Sequence, residues 1–177
     1  MQIEVKPGVI YLFKGKEDGR VRELASHLRS AGYRLMVVSA RTSSVVKDEL
    51  DIPSDCILTL TESVGQYCID PQNLMVLTDS IVKHIERKGQ SALLIDDLGT
   101  LTHKNEFSKI LRFVGFVYEY LAMNRGIGIM VVDPTTVNEK DMALLSKEGS
   151  LVEERDRLDT KSLVRPDHLE NRPSQNV

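Results

Sequence analysis

The run Ser91-Ala92-Leu93-Leu94-Ile95-Asp96-Asp97 decides how this chain is read. Its apolar residues follow one another without polar alternation and end abruptly in two carboxylates. An apolar run of this length, bounded by polar residues, reads as a strand buried on both faces, as parallel sheets covered by helices require. Open sheets of that kind place their ligands outside the carboxyl ends of the strands. Asp96 and Asp97 therefore stand where chemistry is expected. They can position magnesium, polarise water or cap the next turn.

Outward from this strand the chain alternates. Residues 9–13 form a first strand after Pro7-Gly8, and residues 35–38 a second. Between them, residues 21–31 carry Val21, Leu24, Ala25 and Leu28 on one helix face, with Gly32 as the stop. Residues 42–69 are mixed and hold a third strand at 56–60. Residues 71–88 predict a helix with Leu74, Leu77, Ile81, Val82 and Ile85 on one side, ended by Gly89. Beyond the opening strand, residues 105–125 predict a long, mostly apolar helix. Residues 127–132 are another buried strand, broken by Asp133-Pro134, and Asn138 caps a short helix at 139–147. This order predicts a three-layer α/β domain over residues 1–152, with a mostly parallel sheet and helices on both faces. From Glu153 the pattern dissolves. Residues 153–177 are read as a charged tail, flexible or ordered by a partner.

Composition narrows the class. With 177 residues, 41% of them hydrophobic, the chain can build one proper core. A net charge of −3 gives no electrostatic reason to expect nucleic acid. No apolar run approaches the ~18 residues of a membrane span, and no signal peptide is evident, so a cytoplasmic protein without membrane insertion is expected. Cys56 and Cys68 lack a CxxC spacing and are read as reduced thiols. His27, His84, His103 and His168 are scattered without ligand spacing, so no metal is expected. Ser39 and Ser43 have no evident base, and no GxSxG elbow exists.

A nucleotidase would need a phosphate cradle, GxxxxGK[ST], between the first strand and the first helix. The turn there reads Lys14-Gly15-Lys16-Glu17-Asp18-Gly19-Arg20. Its glycines would let amides converge on an anion. No lysine precedes a hydroxyl residue, however, and Glu17 and Asp18 would face the phosphates. Like charges within about 4 Å cost on the order of several kcal/mol at a protein-like dielectric. The turn is read as an ordinary polar connection in which Lys16 and Arg20 can still meet some other anion. Arg41, in Ser39-Ala40-Arg41-Thr42, follows the second strand at the same edge, where it can hold an anion or pair with Asp96 or Asp97. The candidate site is thus Lys16, Arg20, Arg41, Asp96 and Asp97, with no catalytic residue and no cofactor. Asp96 to Thr102 is also similar to the DxDGTL loop of haloacid-dehalogenase-type phosphatases. Leu98 stands where that loop has its general acid, and leucine cannot transfer a proton.

Several segments, in order, resemble one family. They are Lys6-Pro7-Gly8-Val9-Ile10-Tyr11-Leu12, Ser39-Ala40-Arg41, Ile69-Asp70-Pro71-Gln72-Asn73-Leu74 and Leu93-Leu94-Ile95-Asp96-Asp97. Asn105-Glu106-Phe107 with Val114, and Val131-Val132-Asp133-Pro134 leading into Leu144-Leu145, continue the series. Together, over residues 6–152, they resemble the archaeal family catalogued as domain of unknown function 835. Asp97-Leu98-Gly99-Thr100 departs from that family's DG and aromatic-rich stretch, and Ile57 precedes Leu58-Thr59 where a tryptophan is usual.

The resemblance implies a RecA-like, P-loop-NTPase-like fold that has lost its Walker A motif, related to KaiC-type ATPases. It further implies a non-catalytic regulatory or scaffolding domain acting through protein contacts, in archaeal signalling or motility control. A protein partner and a homo-oligomer are the associations it suggests; a further reading, drawn from the residues, is a subunit of a larger assembly with the tail as its docking segment. The alternative drawn from the residues is a nucleotide- or anion-binding switch, or a divergent phosphohydrolase, built on Arg41, Asp96 and Asp97.

Overall fold

A computed structural model describes residues 1–16 and 18–163. The expectations for Glu17, His168 and residues 164–177 lie outside the described residues. In chain order the elements are β1 (Gln2–Glu4), β2 (Val9–Lys14), α1 (Gly19–Ser30), β3 (Arg34–Ser39), α2 (Ser43–Leu50), a 3-10 turn (Ser54–Cys56), β4 (Ile57–Leu60) and β5 (Cys68–Ile69). They continue with α3 (Leu74–Glu86), β6 (Ser91–Ile95), α4 (Leu98–Lys104), α5 (Phe107–Met123), β7 (Ile127–Val132), α6 (Glu139–Leu145), β8 (Ser150–Val152) and β9 (Arg157–Asp159).

Seven strands form one sheet in the order β5-β4-β3-β6-β7-β2-β8, and every neighbouring pair is parallel. The quoted run is its central strand, with Leu93 opposite Met36 on one side and Gly128 on the other. Strand side chains point alternately to opposite faces. Ile10, Leu12, Leu93 and Ile95 therefore meet α3 to α6 through Leu77, Ile81, Leu101, Val117, Leu121 and Leu145. Tyr11, Phe13, Leu94 and Ile129 meet α1 and α2 through Leu24, Leu28 and Val46. Both sets are apolar because both faces are covered. The three-layer arrangement read from the sequence is the one observed.

Four differences have local causes. Helix α2 lies in the stretch read as mixed: only Val46 and Leu50 are buried there, too few to mark a period, and Asp51 ends it in a left-handed conformation at φ 51°. Helix α4 occupies a segment to which the sequence reading assigns no element, and it is held by the cap at Asp97. Helix α3 starts at Leu74 rather than Pro71, because the Asn73 side chain accepts from the Val76 amide at 3.2 Å.

The fourth concerns the boundary at 152. Residues 153–163 belong to the folded body, and β9 pairs with β1 in parallel, Ile3 opposite Leu158. The charge run at the start of this stretch, residues 153–157, holds a turn that leads into β9. In it the Glu153 amide donates to Asp156 Oδ2 at 2.9 Å, and the Asp156 amide donates to the Glu153 carbonyl at 3.0 Å.

His84, on α3, is buried against the sheet. Its Nε2 lies 2.9 Å from the Arg34 carbonyl and 3.2 Å from that of Ala92. Two acceptors require that nitrogen to carry the proton. Burial pushes the imidazolium pKa down, the two carbonyls oppose this, and the Arg34 and Arg87 charges add to it. The unfolded chain, with an ordinary histidine near 6.5, then takes up a proton before the folded one does. Stability is expected to fall by about 1 kcal/mol between pH 7.5 and 5.5. His84→Gln, which keeps a donor but does not titrate, should flatten that slope in urea melts. An unchanged slope would refute the assignment.

Candidate functional site

The chain leaves β2 and β3 toward the α1/α2 layer and leaves β6 and β7 toward the opposite one. A crevice opens where adjacent strands send their connections to opposite faces. Here it is a cleft of ≈ 330 Å³ at the carboxyl ends of these four strands, lined by Lys16, Arg41, Asp96, Asp97 and Asp133 among others.

Asp96 is buried, and its Oδ2 accepts from Ser39 Oγ at 2.6 Å, Arg41 Nε at 3.1 Å and Arg41 Nη2 at 3.0 Å. Burial pushes its carboxyl up, against the Ser39 hydroxyl and the Arg41 guanidinium. Arg41 spans two acids, since its Nη1 also donates to Glu49 Oε2 at 2.7 Å. Burial disfavours its charge, yet the Glu49 and Asp96 carboxylates outweigh this and hold the guanidinium protonated. Ser39 Oγ in turn accepts from the Arg41 amide at 3.0 Å. Of the alternatives for Arg41, the pair with Asp96 is the one formed.

Asp97 caps α4. Its Oδ1 accepts from the Gly99 amide at 2.8 Å and its Oδ2 from Thr100 Oγ1 at 3.1 Å. A Cβ at Gly99 would lie 2.8 Å from that same Oδ1, so glycine is what lets the cap close. Asp133 accepts from the Thr135 amide at 2.9 Å and its hydroxyl at 2.8 Å, which hold its carboxyl below the usual range. Asp97 and Asp133 are thus bonded to their own loops, and Asp96 to the end of the neighbouring strand β3.

The turn before α1 is closed in the same way. The Gly15 amide donates to the Val132 carbonyl at 3.0 Å, across to the neighbouring strand. Asp18 is the N-cap, accepting from the Arg20 amide at 2.9 Å. An N-cap carboxylate takes the position and the donors that a phosphate would need at a helix start. Partial burial opposes the Asp18 charge, but the Arg20 side chain and amide outweigh it and hold the carboxyl below its usual range.

Arg20 does not belong to the cleft. Its Nε and Nη2 grip Asp18 Oδ2 at 3.0 and 2.9 Å, and its Nη1 donates to the carbonyls of Glu153 at 2.8 Å and Asp156 at 2.9 Å. One edge of the guanidinium fork takes a carboxylate and the other two carbonyls, so Arg20 staples α1 to the turn before β9. Lys16, Arg41, Asp96 and Asp97 are the candidates that come together. Sequence reasoning missed Glu49, whose role depends on the unrecognised α2. It also missed Asp133, although the apolar run of β7 ends in an acid just as β6 does. Ser39, read as a serine without a base, is a positioning donor to Asp96. Cys56 and Cys68 are free, and burial, with the Asp55 carboxylate adding, pushes the Cys56 thiol up, away from a reactive thiolate. Among the described residues no three His, Cys, Asp or Glu side chains gather into a metal-holding group, and no helix is long and apolar enough to cross a membrane.

A fully parallel sheet between two helical layers, with an acid-tipped central strand and no Walker A motif, is a RecA-like α/β fold without a phosphate loop. The chain belongs to the family described as Protein of unknown function (DUF835), whose model matches residues 14–148. Among solved structures it is similar to the flagellar accessory protein FlaH from Methanocaldococcus jannaschii. The two share 14% sequence identity and a TM-score of 0.53, over 84% of this chain and 72% of that one. No curated protein matches the chain significantly.

Proposed function

We propose that this chain is a non-catalytic RecA-like regulatory or scaffolding domain that works through contacts with another protein. The observation that carries this reading is Asp18. Its carboxylate takes the α1 amide that a phosphate would need, and Arg20 fastens it there. The cleft beside it supports the same view, because the carboxylates of Asp96, Asp97 and Asp133 outnumber the cations Lys16 and Arg41. FlaH, which shares the fold, is a flagellar accessory protein, and this supports a place in motility or signalling control.

A second reading, an anion- or nucleotide-binding switch, draws on Lys16, which has no ion-pair partner among the described residues and lines the cleft next to Arg41. Calorimetry and thermal unfolding with ATP, ADP and inorganic phosphate, with and without magnesium, separate the two. No heat and no shift in melting temperature are expected. A ligand present at a hundred times its Kd would add about 2.7 kcal/mol of stability. Such a shift, lost in Asp96→Ala, would replace the first reading by the second.

A further inference from the structure

We propose that the groove between α3 and α5 docks an amphipathic helix of a partner protein, apolar along one face and acidic at the end that lies over the starts of these two helices. The proposal rests on the protein-contact reading above and gives that contact a place and a chemistry. The groove, ≈ 660 Å³, has apolar walls: Leu74, Met75 and Val82 from α3, and Phe113, Phe116 and Tyr120 from α5. Met75 is 82% exposed and Phe116 41%. Single exposed apolar side chains are ordinary on a protein surface, but here they converge on one concave strip. From Lys109 to Tyr120 the strip runs about 16 Å along α5 at helical rise, the length of roughly three turns of a docked helix.

Charge selects the occupant. Lys109 and Arg112 stand on the α5 wall, and neither has an ion-pair partner among the described residues. The carboxylate on the opposite wall, Asp79, is already held by Lys83 at 2.8 Å. The starts of α3 and α5 lie side by side, joined by Asn105 Nδ2 donating to the Pro71 carbonyl at 2.8 Å. Two helix N-termini thus bring their positive dipole ends to the end of the groove where Lys109 stands. The charged side chains that line the groove without a partner, Lys109 and Arg112, are thus cations over an apolar floor, with the exposed Asp70 and Glu106 beside the two helix starts.

A second copy that set the same face against this one would bring Lys109 and Arg112 against their own counterparts. Leu163, the last described residue, packs with the α1/α2 layer on the far face of the sheet from this groove.

The test uses the full chain and a displayed library of helix-forming 15-residue peptides. Selected binders are expected to carry apolar residues at i, i+3/i+4 and i+7, with carboxylates concentrated at one end. Their affinity should fall at least tenfold on Phe116→Asp, on Met75→Lys and on the double variant Lys109→Glu/Arg112→Glu, each checked for an unchanged melting temperature. Peptides with those carboxylates changed to lysine should bind the double variant better than the parent. Selection of no binders, of binders without an acidic bias, or of binders indifferent to Phe116→Asp and Met75→Lys would overturn the proposal. So would a dimer in sedimentation velocity that Phe116→Asp dissociates, which would assign the face to a second copy. Nucleotide titration tests the non-catalytic reading separately, so failure of one is distinguishable from failure of the other.

Discussion

Arg41→Ala is expected to cost about 2–3 kcal/mol of stability at pH 7 and almost nothing at pH 3.5. Asp96 is buried at the end of the central strand, and two of the three donors to its Oδ2 come from Arg41. Without the guanidinium the carboxylate keeps only the Ser39 hydroxyl and faces Asp97. Breaking a wholly buried pair by removing one partner costs about 3–5 kcal/mol. The cost here is lower because the Arg41 side chain is 37% exposed and part of its interaction is screened.

The sign with pH follows from proton linkage. Burial already pushes the Asp96 carboxyl up, and loss of Arg41 pushes it further. A carboxyl raised in the folded state binds its proton before the unfolded chain does, whose aspartates titrate near 3.9. The variant's deficit is therefore absent below about pH 4 and grows as pH rises through the folded pKa. Urea melts at pH 3.5, 5 and 7 would show it, and adding Asp96→Asn should remove the pH dependence. A loss of equal size at every pH would contradict this account.

Leu121→Ala is expected to cost about 2–5 kcal/mol, and Gly128→Ala about 1–3. The two should not add. Gly128 sits in β7 between Ile10 and Leu93, and its missing side chain is the space that Leu121 of α5 fills. A Cβ there would lie 2.9 Å from Leu121 Cδ1 and 2.8 Å from Ile10 Cγ1, closer than packed carbons allow. Leu121 is fully buried, so truncating it leaves a cavity. The cavity gives the new methyl room on one side while the Ile10 contact stays. In the Leu121→Ala background the cost of Gly128→Ala should drop by more than 1 kcal/mol, about the size expected for residues in direct contact. Strict additivity in a denaturation cycle would mean that α5 does not rest on the sheet at this point.

The long elements could be read from the chain because their signal is local. β6 and β7 are apolar runs with sharp polar ends, and α1 carries Val21, Leu24, Ala25 and Leu28 at helical spacing. The short ones could not. β1, β5, β8 and β9 have two or three residues each, and their strand character comes from a partner far away in sequence, as when Gln2 pairs with Arg157. Among the charged residues the same limit applies. Lys14 to Arg20 shows that no phosphate loop is written there, but not that Asp18 fills its place or that Arg20 turns away to hold residues 153–156.

What the sequence determined by itself is the layered parallel sheet, the acids at its central strand and the absence of a Walker A motif, since each depends only on the kinds of residue and their spacing. What the tertiary structure decided is how those acids are used. Asp96 is tied to Arg41 and Ser39 from a neighbouring strand end, 55 and 57 residues away, and Asp97 and Asp133 are turned into their own loops. The cationic groove between α3 and α5 is likewise a product of packing, because Met75 and Phe116 become neighbours only when both helices lie on the same face of the sheet.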